Sequence, residues 1–564
     1  DIDHDRRWTA VKLLEGDVLL KHKKKYGSMR ESIEREKKRV EEILGEDVDI
    51  AIAEGRYGFI NAICKQVLDR SNIIRKNITD TIDRMVLNRF FGIPIFLAAM
   101  FLTFWITINF GGCFIDFFDL FCGAIFVDGA ADLLRAIHAP DIVITFIADG
   151  IGGGIQTVST FIPPIFFMFL CLSVLEDSGY MARAGFIMDR LMRFIGLPGK
   201  AFVPMLVGFG CNVPAILSTR TLEDERDRIL TILMNPFMSC GARMPVYAVF
   251  AAAFFPRFGG IVVFLLYLIG IGAAIFTAFI LKGTILKGET SSFIMELPPY
   301  HIPTFKAIFI HTWERLKSFI IRAGQAIIIV VVILTLLNSI GTGGKAGETK
   351  PETSVLASLG KTMTPLFYPV GIRDDNWPAT VGIFTGIFAK ESVIATLDTL
   401  YSPEQGPRAP EGKRGITDDL RDAFLSIPRN LAEIVAPLSV RELVEADMST
   451  SIDKLEIADS TYASLRENFD GKRGAFAYLL LILLYMPCAA AIVAVYRELN
   501  MYWALFSVSY MTVFAWSAAT LFYQSVRVLD HPVQTLIFYA AIGSGFTLFY
   551  MILKKRGPLF ERLK

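Results

Sequence analysis

The sequence has few of the features on which soluble enzymes and nucleic-acid-binding proteins depend. Its 57 Lys and Arg residues balance 56 Asp and Glu residues, so no basic excess indicates a nucleic acid partner. The 7 cysteines are an odd number and lie mostly in apolar segments, which argues against a framework of disulfides. No GxxxxGK[ST] motif is present to bind nucleotide phosphates, and HExxH, GxSxG and paired CxxC motifs are also absent. Enzymatic catalysis therefore has no recognisable site here, and we expect no bound cofactor in this chain.

Long apolar runs are what the sequence does contain. The hydrophobic fraction is 53% over 564 residues, and the mean hydropathy is +0.46. Apolar blocks of spanning length lie at about 91–110, 155–176, 229–254, 258–281, 323–341, 475–496, 502–524 and 532–553. Each must be helical, because lipid offers no partner for backbone amides. We therefore predict an all-α polytopic membrane bundle of about eight spans, which favours transport of a small ion over catalysis.

Two further apolar segments, 198–219 and 377–397, are unlike the others. Both are interrupted near the middle, by Gly208, Gly210 and Pro214 in the first and by Gly382 and Gly386 in the second. Paired interrupted segments in two halves of a transporter indicate the substrate site. We predict that both are re-entrant hairpins in inverted repeat, entering from opposite sides and related by a pseudo-two-fold axis in the membrane plane.

Basic residues orient the chain in the membrane. Arg70, Arg75, Lys76, Arg84 and Arg89 precede the first span, and Lys554-Lys555-Arg556 follows the last. The positive-inside rule then places both ends in the cytoplasm. The predicted organisation is a helical spacer and juxtamembrane segment (1–89), a first membrane half (90–281), a cytoplasmic loop with an interfacial helix (282–322), a second gate region (323–398), a polar loop (399–474) and C-terminal membrane helices (475–564). The loop 399–474 becomes extracytoplasmic, and because the chain starts at Asp1 without Met or a signal peptide we expect a further segment upstream.

The segment 302–320 is amphipathic. Its apolar residues Ile302, Phe305, Phe309, Trp313, Leu316 and Ile320 share one helical face, with basic residues off it. This pattern predicts a helix lying on the cytoplasmic leaflet, in contact with membrane lipids. A core helix of a soluble loop domain would show the same pattern.

Polar residues recur inside the predicted span 229–254. Asn235, Ser239, Arg243 and Tyr247 are spaced every fourth residue and would share one helix face, with Cys240 and Met244 offset by one residue. Polar groups in a bilayer cost free energy unless they are paired or hydrated, so they indicate a transport path. A hydrogen-bonded seam between helices is the alternative.

Two cysteines lie beside helix-breaking residues. Cys211-Asn212 is at the apex of the first predicted hairpin, and Met486-Pro487-Cys488 lies in the middle of the predicted span 475–496. Pro487 has no backbone donor, so it frees a carbonyl one turn earlier. Thiols, thioethers and freed carbonyls suit a soft-to-borderline cation. Glu391, beside Lys390 in the second hairpin, adds a carboxylate; packing cysteines and a structural Lys390–Glu391 ion pair are the alternatives.

Several blocks resemble the ferrous iron transport protein B (FeoB) family. Residues 178–247, with GFGCNVPAI and NPFMSC, resemble its first gate region; TDTIDRMVLNRFFGIPIF (79–96) its first membrane segment; TGIFAKES (385–392) its second gate; and LYMPCAAAIVAVYREL (484–499) its Pro-Cys span. Residues 1–78, with RRWTAVKLLEGD and EGRYGFINAI, resemble the end of its helical spacer. The similarity extends over nearly the whole chain.

The resemblance implies uptake of Fe(II) as substrate across a prokaryotic cytoplasmic (inner) membrane. GTP and Mg would bind a G-protein domain that is absent from these residues and lies upstream or on another chain, so this chain alone is predicted not to hydrolyse GTP. Expected partners are that domain and small cytoplasmic accessory proteins of the ferrous iron system, and a homo-oligomer is compatible with the family.

The resemblance also implies a set of site residues. Cys211 and Cys488 match the membrane cysteines of the family proposed to contact iron, and Cys240 matches the cysteine of NPFMSC. We therefore predict as metal ligands Cys211, Cys488, Cys240 and Glu391, with Asn212, Asn235, Ser239, Met244 and Met486 along the path. The AAAIVA that follows Cys488 departs from the family, in which a Thr is expected near Ala490 or Ala491.

Other substrates stay open at this stage. Mn(II) or another divalent metal would suit the same donors. A nucleoside-type solute would require several amides and carboxylates in the hairpins, which offer only Asn212 and Glu391. A membrane scaffold without a pore would leave the interrupted helices unexplained.

Overall fold

The computed structural model describes residues 10–12, 14, 30–44, 47–67, 78–88, 90–286, 299–341, 354–401, 416–435 and 459–560. These residues fall into two compact units, one up to Asn88 and one from Phe90 onward. Within the described ranges, the β-structure is limited to an isolated bridge between Gly341 and Ser354. The predicted all-α class is confirmed.

Three helices of the first unit lie within the described residues 30–88. They are α1 (Arg30–Leu44), α2 (Val48–Val67) and α3 (Ile78–Val86). Charged residues cover α1, where Lys37 and Glu41 form an ion pair one turn apart. Apolar residues are exposed on α2, among them Phe59 and Val67. The spacer predicted for residues 1–89 is thus helical where the structure describes it.

The second unit contains long helices alternating with short ones. The helices before residue 290 are α4 (Gly92–Gly112), α5 (Ile115–Cys122), α6 (Gly129–Ala136), α7 (Asp141–Ile144), α8 (Gly153–Asp177), α9 (Tyr180–Ile195), α10 (Phe202–Val207), α11 (Asn212–Ser218), α12 (Glu225–Met234), α13 (Met244–Phe254) and α14 (Gly259–Thr284). Those after it are α15 (Phe305–Phe319), α16 (Gln325–Ser339), α17 (Val355–Met363), α18 (Trp377–Thr385), α19 (Ser392–Tyr401), α20 (Ile416–Val435), α21 (Asp459–Asn468), α22 (Gly471–Leu484), α23 (Ala489–Glu498), α24 (Met501–Val526) and α25 (Pro532–Phe560).

Seven helical segments in the described part of the chain are long and apolar enough to cross a membrane. They cover seven of the eight predicted spans, so the chain is a multi-pass membrane protein. The eighth, predicted at 323–341, is the shorter apolar helix α16. A π turn at Ile320–Gly324 joins α16 to α15, so the helical backbone is continuous from Phe305 to Ser339. The boundary predicted at residue 322 therefore falls inside a helix.

The helix α15 packs against α8. Its buried residues are Ile308, Thr312, Leu316 and Phe319. Of the residues predicted to face lipid together, Leu316 is buried, whereas Phe305 and Trp313 are exposed. An aromatic stripe thus lies outside the protein while the adjacent stripe is buried against α8.

Two buried apolar clusters lie at the centre of the second unit. The larger draws on α12 to α14, α18, α19, α22 and α24, with fully buried Leu230, Phe250, Leu266 and Met511. The smaller joins α8, α11, α15 and α23 and includes Ile216 and Ala491. Both clusters contain short helices that flank interruptions, so the interruptions lie inside the protein.

Polar contacts join segment ends that the predicted topology places on the same side. On the side predicted to be external, Asn430 donates to the Asp116 carboxylate at 2.8 Å. On the side predicted to be cytoplasmic, Arg315 pairs with Glu176 at 2.6 Å. Both contacts therefore agree with the predicted sides of the segments that they join.

Candidate ion-transport site

Four of the apolar segments in the described part of the second unit have an interruption of the helical backbone within them. Two interruptions lie in the segments predicted as hairpins, at Gly208–Cys211 and Gly386–Glu391. Two more lie in segments predicted as continuous spans, at 235–243 and at Tyr485–Cys488. Each predicted hairpin is therefore followed, later in the chain, by a span that is itself broken.

The two predicted hairpins consist of short helices that contact each other across the break. In the first, α10 and α11 are in contact. In the second, the Thr385 and Thr396 hydroxyls are 3.0 Å apart, and a Cβ at Gly382 would lie 3.4 Å from the Leu397 side chain. Thr385, near the end of α18, is thus beside Thr396, and Gly382, earlier in α18, is beside Leu397, which is later in α19. The helices α18 and α19 therefore run antiparallel.

The polar residues of the span predicted at 229–254 do not share one helix face, and that expectation is wrong. Helix α12 ends at Met234, and two short 3-10 turns (Asn235–Phe237 and Gly241–Arg243) flank an extended stretch before α13 starts. The physical reason is Pro236, which lacks the amide donor that would continue the helical hydrogen bonds. The freed carbonyls are bound by the buried Arg243, which donates to the oxygens of Pro236 (3.2 Å) and Met238 (3.3 Å).

The remaining polar residues of this break are paired separately. Ser239 donates to the Tyr247 hydroxyl at 3.0 Å, and Tyr267 donates to the sulfur of Met244 at 3.3 Å. The Asn235 side chain is fully buried and has no hydrogen-bond partner. Its carbonyl-side oxygen Oδ1 faces Gly208, where an added Cβ would come within 2.7 Å. This break therefore lies directly against the first hairpin.

The first hairpin and the break that follows it share hydrogen bonds. The Gly241 amide donates to the Gly210 carbonyl at 3.3 Å. With its amide group oriented as a donor, Asn212 reaches the carbonyls of Gly208 (3.2 Å) and Asn235 (3.0 Å). Asn212 is thus engaged within the protein and fixes the hairpin apex.

The span predicted at 475–496 is likewise two helices, α22 and α23, and not one continuous helix kinked at Pro487. Helix α22 ends at Leu484 and α23 begins at Ala489. Pro487 has no amide to continue the ladder of hydrogen bonds, and the chain is extended at both Tyr485 and Cys488.

The second hairpin binds this break. The buried ammonium of Lys390 donates to the Met486 carbonyl at 2.9 Å and lies 3.1 Å from the centre of the Tyr485 ring. The Ala489 amide donates to the Ile387 carbonyl at 3.0 Å. Lys390 is therefore bonded to Met486 instead of pairing with Glu391, whose oxygen Oε1 is buried without a hydrogen-bond partner.

The two hairpins share one docking contact with the breaks that follow them. In each, the amide of the residue that directly follows a cysteine, Gly241 or Ala489, donates to a carbonyl of the hairpin turn. The buried cations are placed differently, because Arg243 belongs to the first break and binds carbonyls of that same break, whereas Lys390 belongs to the second hairpin and binds the opposite break. The shared amide contact puts Cys240 and Cys488 in corresponding places, which the sequence spacing did not reveal.

All three candidate cysteines occupy one kind of position. Cys211, Cys240 and Cys488 are each the extended residue immediately before a helical turn. Cys211 and Cys488 pack against the same buried cluster. The Gly241 amide bond to Gly210 holds Cys240 next to the first hairpin turn, and the Lys390 bond to Met486 holds Glu391 next to the second break. The structure therefore brings the four predicted metal ligands into one region. In the part of the chain that it describes, no three His, Cys, Asp or Glu side chains are close enough together to hold a metal ion in this conformation.

Comparison with known proteins identifies the relatives of this chain. It is 45% identical over 537 residues to the Fe(2+) transporter FeoB of Legionella pneumophila (strain Paris), a match that covers 94% of this chain and 69% of the relative. It is 42% identical over 540 residues to the Fe(2+) transporter FeoB of Salmonella typhi, covering 95% and 69%. The chain belongs to the FeoB family. No solved structure matches it.

Family models match in three regions. The FeoB cytosolic helical domain matches residues 2–69, and the ferrous iron transport protein B C terminus matches 263–315. A model described as Gate, nucleoside recognition, matches residues 158–254 and 320–502. Each of the two Gate stretches contains one predicted hairpin and the broken span that follows it. The FeoB match at 2–69 falls on the predicted helical spacer.

Proposed function

We propose that this chain is the membrane permease part of a ferrous iron uptake system and moves Fe(II) across a prokaryotic cytoplasmic membrane. The observation that carries the proposal is the meeting of the helix breaks through the Gly241–Gly210, Ala489–Ile387 and Lys390–Met486 hydrogen bonds. Cys211, Cys240, Cys488 and Glu391 lie at these contacts and are half-buried. Thiolate and carboxylate donors suit Fe(II), and the FeoB relatives are Fe(2+) transporters by name. A G-protein domain, upstream of these residues or on another chain, would gate or drive the transport.

The hairpins with their broken spans form the two halves of an inverted repeat in this proposal. The matching amide bonds after Cys240 and Cys488 support it, because equivalent contacts are what two related halves would make. Alternating access would then consist of one half moving against the other around the fixed site. The membrane-facing aromatic residues of α15 would contact lipid.

The metal would enter this site only after a small rearrangement. A metal–sulfur bond is about 2.3 Å long, so two sulfurs that share a metal must lie within roughly 4–5 Å of each other. We therefore expect the thiols of Cys211 and Cys488 to approach each other in the loaded state. Met244 and Met486 would offer weaker thioether donors along the path.

A pair of serine substitutions tests the proposal. Cys→Ser keeps size and polarity but exchanges a soft ligand for a hard one, so Cys211→Ser with Cys488→Ser should cut Fe(II) uptake at least about tenfold, the loss typical of outer-shell partners alone. Cys171→Ala, at a cysteine buried in α8, and Cys64→Ala are matched controls that should leave uptake near normal. Uptake is measured per inserted protein in vesicles with the complete transport system.

Spectroscopy separates metal binding from transport. Co(II) bound by thiolates gives charge-transfer absorption, which the wild-type chain should show and the double serine variant should lose. Normal uptake by the double variant would end the ligand role of these cysteines. Normal folding with a loss of both signals supports it.

A nucleoside-type solute is the second candidate, because of the description attached to the Gate model. The site offers little to a nucleoside. The Asn212 amide is engaged with the Gly208 and Asn235 carbonyls, and the remaining predicted ligands are thiols and one carboxylate. Uptake of labelled nucleoside that is unaffected by the cysteine substitutions would favour this candidate over a metal.

A further inference from the structure

Two short helices begin directly after the cysteines of the proposed site. Helix α11 follows Cys211 and α23 follows Cys488. They pack against each other through small and branched side chains, among them Ile216 and Ala491, in one buried cluster. Because each helix is short and rigid, a movement at its far end is carried to the cysteine at its start.

A buried carboxylate ties the far ends of these two helices together. Glu498 is the last residue of α23, and its side chain is 1% exposed. Arg220, two residues beyond α11, donates to both carboxylate oxygens of Glu498. Its Nε lies 2.9 and 3.0 Å from the two oxygens, and its Nη2 lies 2.6 Å from one of them. Arg228 of α12 adds a bond of 2.7 Å to the carboxylate and another of 2.7 Å to the Glu498 carbonyl. We name these three residues the Glu498 clamp.

The spacing of the clamp matches the spacing of the thiols. Arg220 follows Cys211 by nine residues, and Glu498 follows Cys488 by ten. At about 1.5 Å per helical residue, both distances are roughly 15 Å along the axis. The two helices contact each other, and both cysteines pack against the buried cluster that these helices share. The clamp residues are bonded at the far ends, so α11 and α23 run side by side in the same direction.

The clamp is built to fix geometry. A bidentate Arg–carboxylate pair holds two partners in one plane and one register, which a single hydrogen bond does not. Glu498 is buried between two cations, whereas the side chain of Arg220 is 57% exposed. The clamp therefore has one member that water reaches and one that does not, on the side that the predicted topology places in the cytoplasm.

We propose that the Glu498 clamp consists of positioning residues that set the register of α11 against α23 and so hold the thiols of Cys211 and Cys488 at a fixed separation. The clamp touches no transported ion. Its effect on Fe(II) rests on the proposed function, but its effect on the separation of the thiols does not.

Cross-linking of the two thiols tests the clamp without iron. In the full chain with the other five cysteines replaced by Ala, a short bifunctional thiol reagent should join Cys211 to Cys488. Glu498→Gln and Arg220→Gln should lower that yield about tenfold, the equilibrium shift expected for one lost charged hydrogen-bonded pair. A longer reagent should restore the yield in these variants. Arg220→Lys keeps the positive charge but not the planar guanidinium that binds both carboxylate oxygens, so its cross-linking yield should lie between those of the parent chain and Arg220→Gln.

The matched control is another arginine–carboxylate pair on the same predicted side. Arg315→Gln breaks the 2.6 Å pair with Glu176 but touches neither α11 nor α23, so cross-linking should be unchanged. The side chain of Arg220 is more than half exposed, so Arg220→Gln should disturb folding less than Glu498→Gln. Arg220→Gln therefore still tests the clamp if the Glu498→Gln protein does not insert into the membrane. Unchanged cross-linking in both clamp variants, or no cross-linking in the parent chain, would overturn the proposal.

Iron uptake measured with the same clamp substitutions, in the chain that keeps all seven cysteines, separates the two proposals. Altered cross-linking together with a raised KM for Fe(II) supports the clamp as a positioning device of the transport site. If cross-linking changes while wild-type uptake proves independent of the cysteines, the clamp stands and the ferrous iron proposal fails.

Discussion

Gly386 offers the sharpest test of how the second hairpin docks on its broken span. A Cβ added at this position would overlap the Tyr485 hydroxyl and would lie 2.5 Å from a methyl group of Val393. Real Cβ atoms do not approach other atoms so closely, so one neighbour must move. Tyr485 also carries the ring against which the Lys390 ammonium rests. Gly386→Ala should therefore push the Tyr485 side chain away from Lys390.

The cost follows from the size of the overlap. An extra methyl group in a closely packed interior typically destabilises a protein by about 1–3 kcal/mol. The Tyr485 hydroxyl is buried without a hydrogen-bond partner, so Tyr485→Phe alone should be close to neutral. It also removes one of the two atoms in the overlap. The double variant should consequently recover about 1 kcal/mol of the loss, a coupling of the size seen for residues in contact.

A double-mutant cycle on thermal unfolding of the purified chain in detergent measures this coupling, with uptake as a second readout. Gly272→Ala is the matched control, because a Cβ there meets no atom within 4 Å in the helix α14. Alanine favours helix, so this control should be neutral or up to about 1 kcal/mol more stable. The packing argument would be refuted if the Gly386→Ala chain were as stable and active as wild type. It would also be refuted if adding Tyr485→Phe recovered none of the stability lost in Gly386→Ala.

Two shorter predictions concern the Lys390 ammonium and the choice of metal. Tyr485→Leu removes the ring beneath the buried Lys390 ammonium, so a desolvated cation–π contact is lost. In the same unfolding assay, it should lower the free energy of unfolding by about 2 kcal/mol more than Tyr485→Phe does, and equal stabilities of the two variants would contradict the contact. Mn(II) in excess should compete with Fe(II) for uptake far better than Mg(II), which dehydrates reluctantly and prefers oxygen ligands; strong inhibition by Mg(II) would argue against thiol ligands.

Much of the membrane fold could be predicted because its signals are local. Apolar blocks set the positions of the spans to within a few residues, as for α4, α14 and α24. The interruptions at Gly208–Cys211 and Gly386–Glu391 could be predicted because glycine and proline weaken a helix wherever they occur. The metal candidates Cys211 and Cys488 were found for the same reason, since both adjoin such residues.

The broken spans were missed although their signal was present. Pro236 and Pro487 lie in segments predicted as continuous spans, because a membrane helix can tolerate a proline where neighbouring groups bind the freed carbonyls. Here the neighbours that do so, Arg243 and Lys390, instead stabilise an extended backbone. Lys390 is 96 residues from its acceptor Met486, and no local pattern predicts such a contact. The Arg220–Glu498 pair, 278 residues apart, was missed for the same reason.

The carbonyl contacts of Arg243 and Lys390 bear on which metal ion the proposed site would select. Carbonyl oxygens exposed at a broken helix are ready ligands for a hard cation, yet at both broken spans a side chain of the protein already occupies them: Arg243 binds those of Pro236 and Met238, and Lys390 binds that of Met486. The cysteines next to these carbonyls are placed at the start of the following helix, and Glu391 keeps an oxygen without a hydrogen-bond partner. A cation that binds oxygen alone would have to displace a buried charge, whereas one that binds thiolate and carboxylate would not. If the proposed function holds, we therefore expect the site to favour Fe(II) or Mn(II) over Mg(II), through the positions of two buried basic residues as much as through the cysteines themselves.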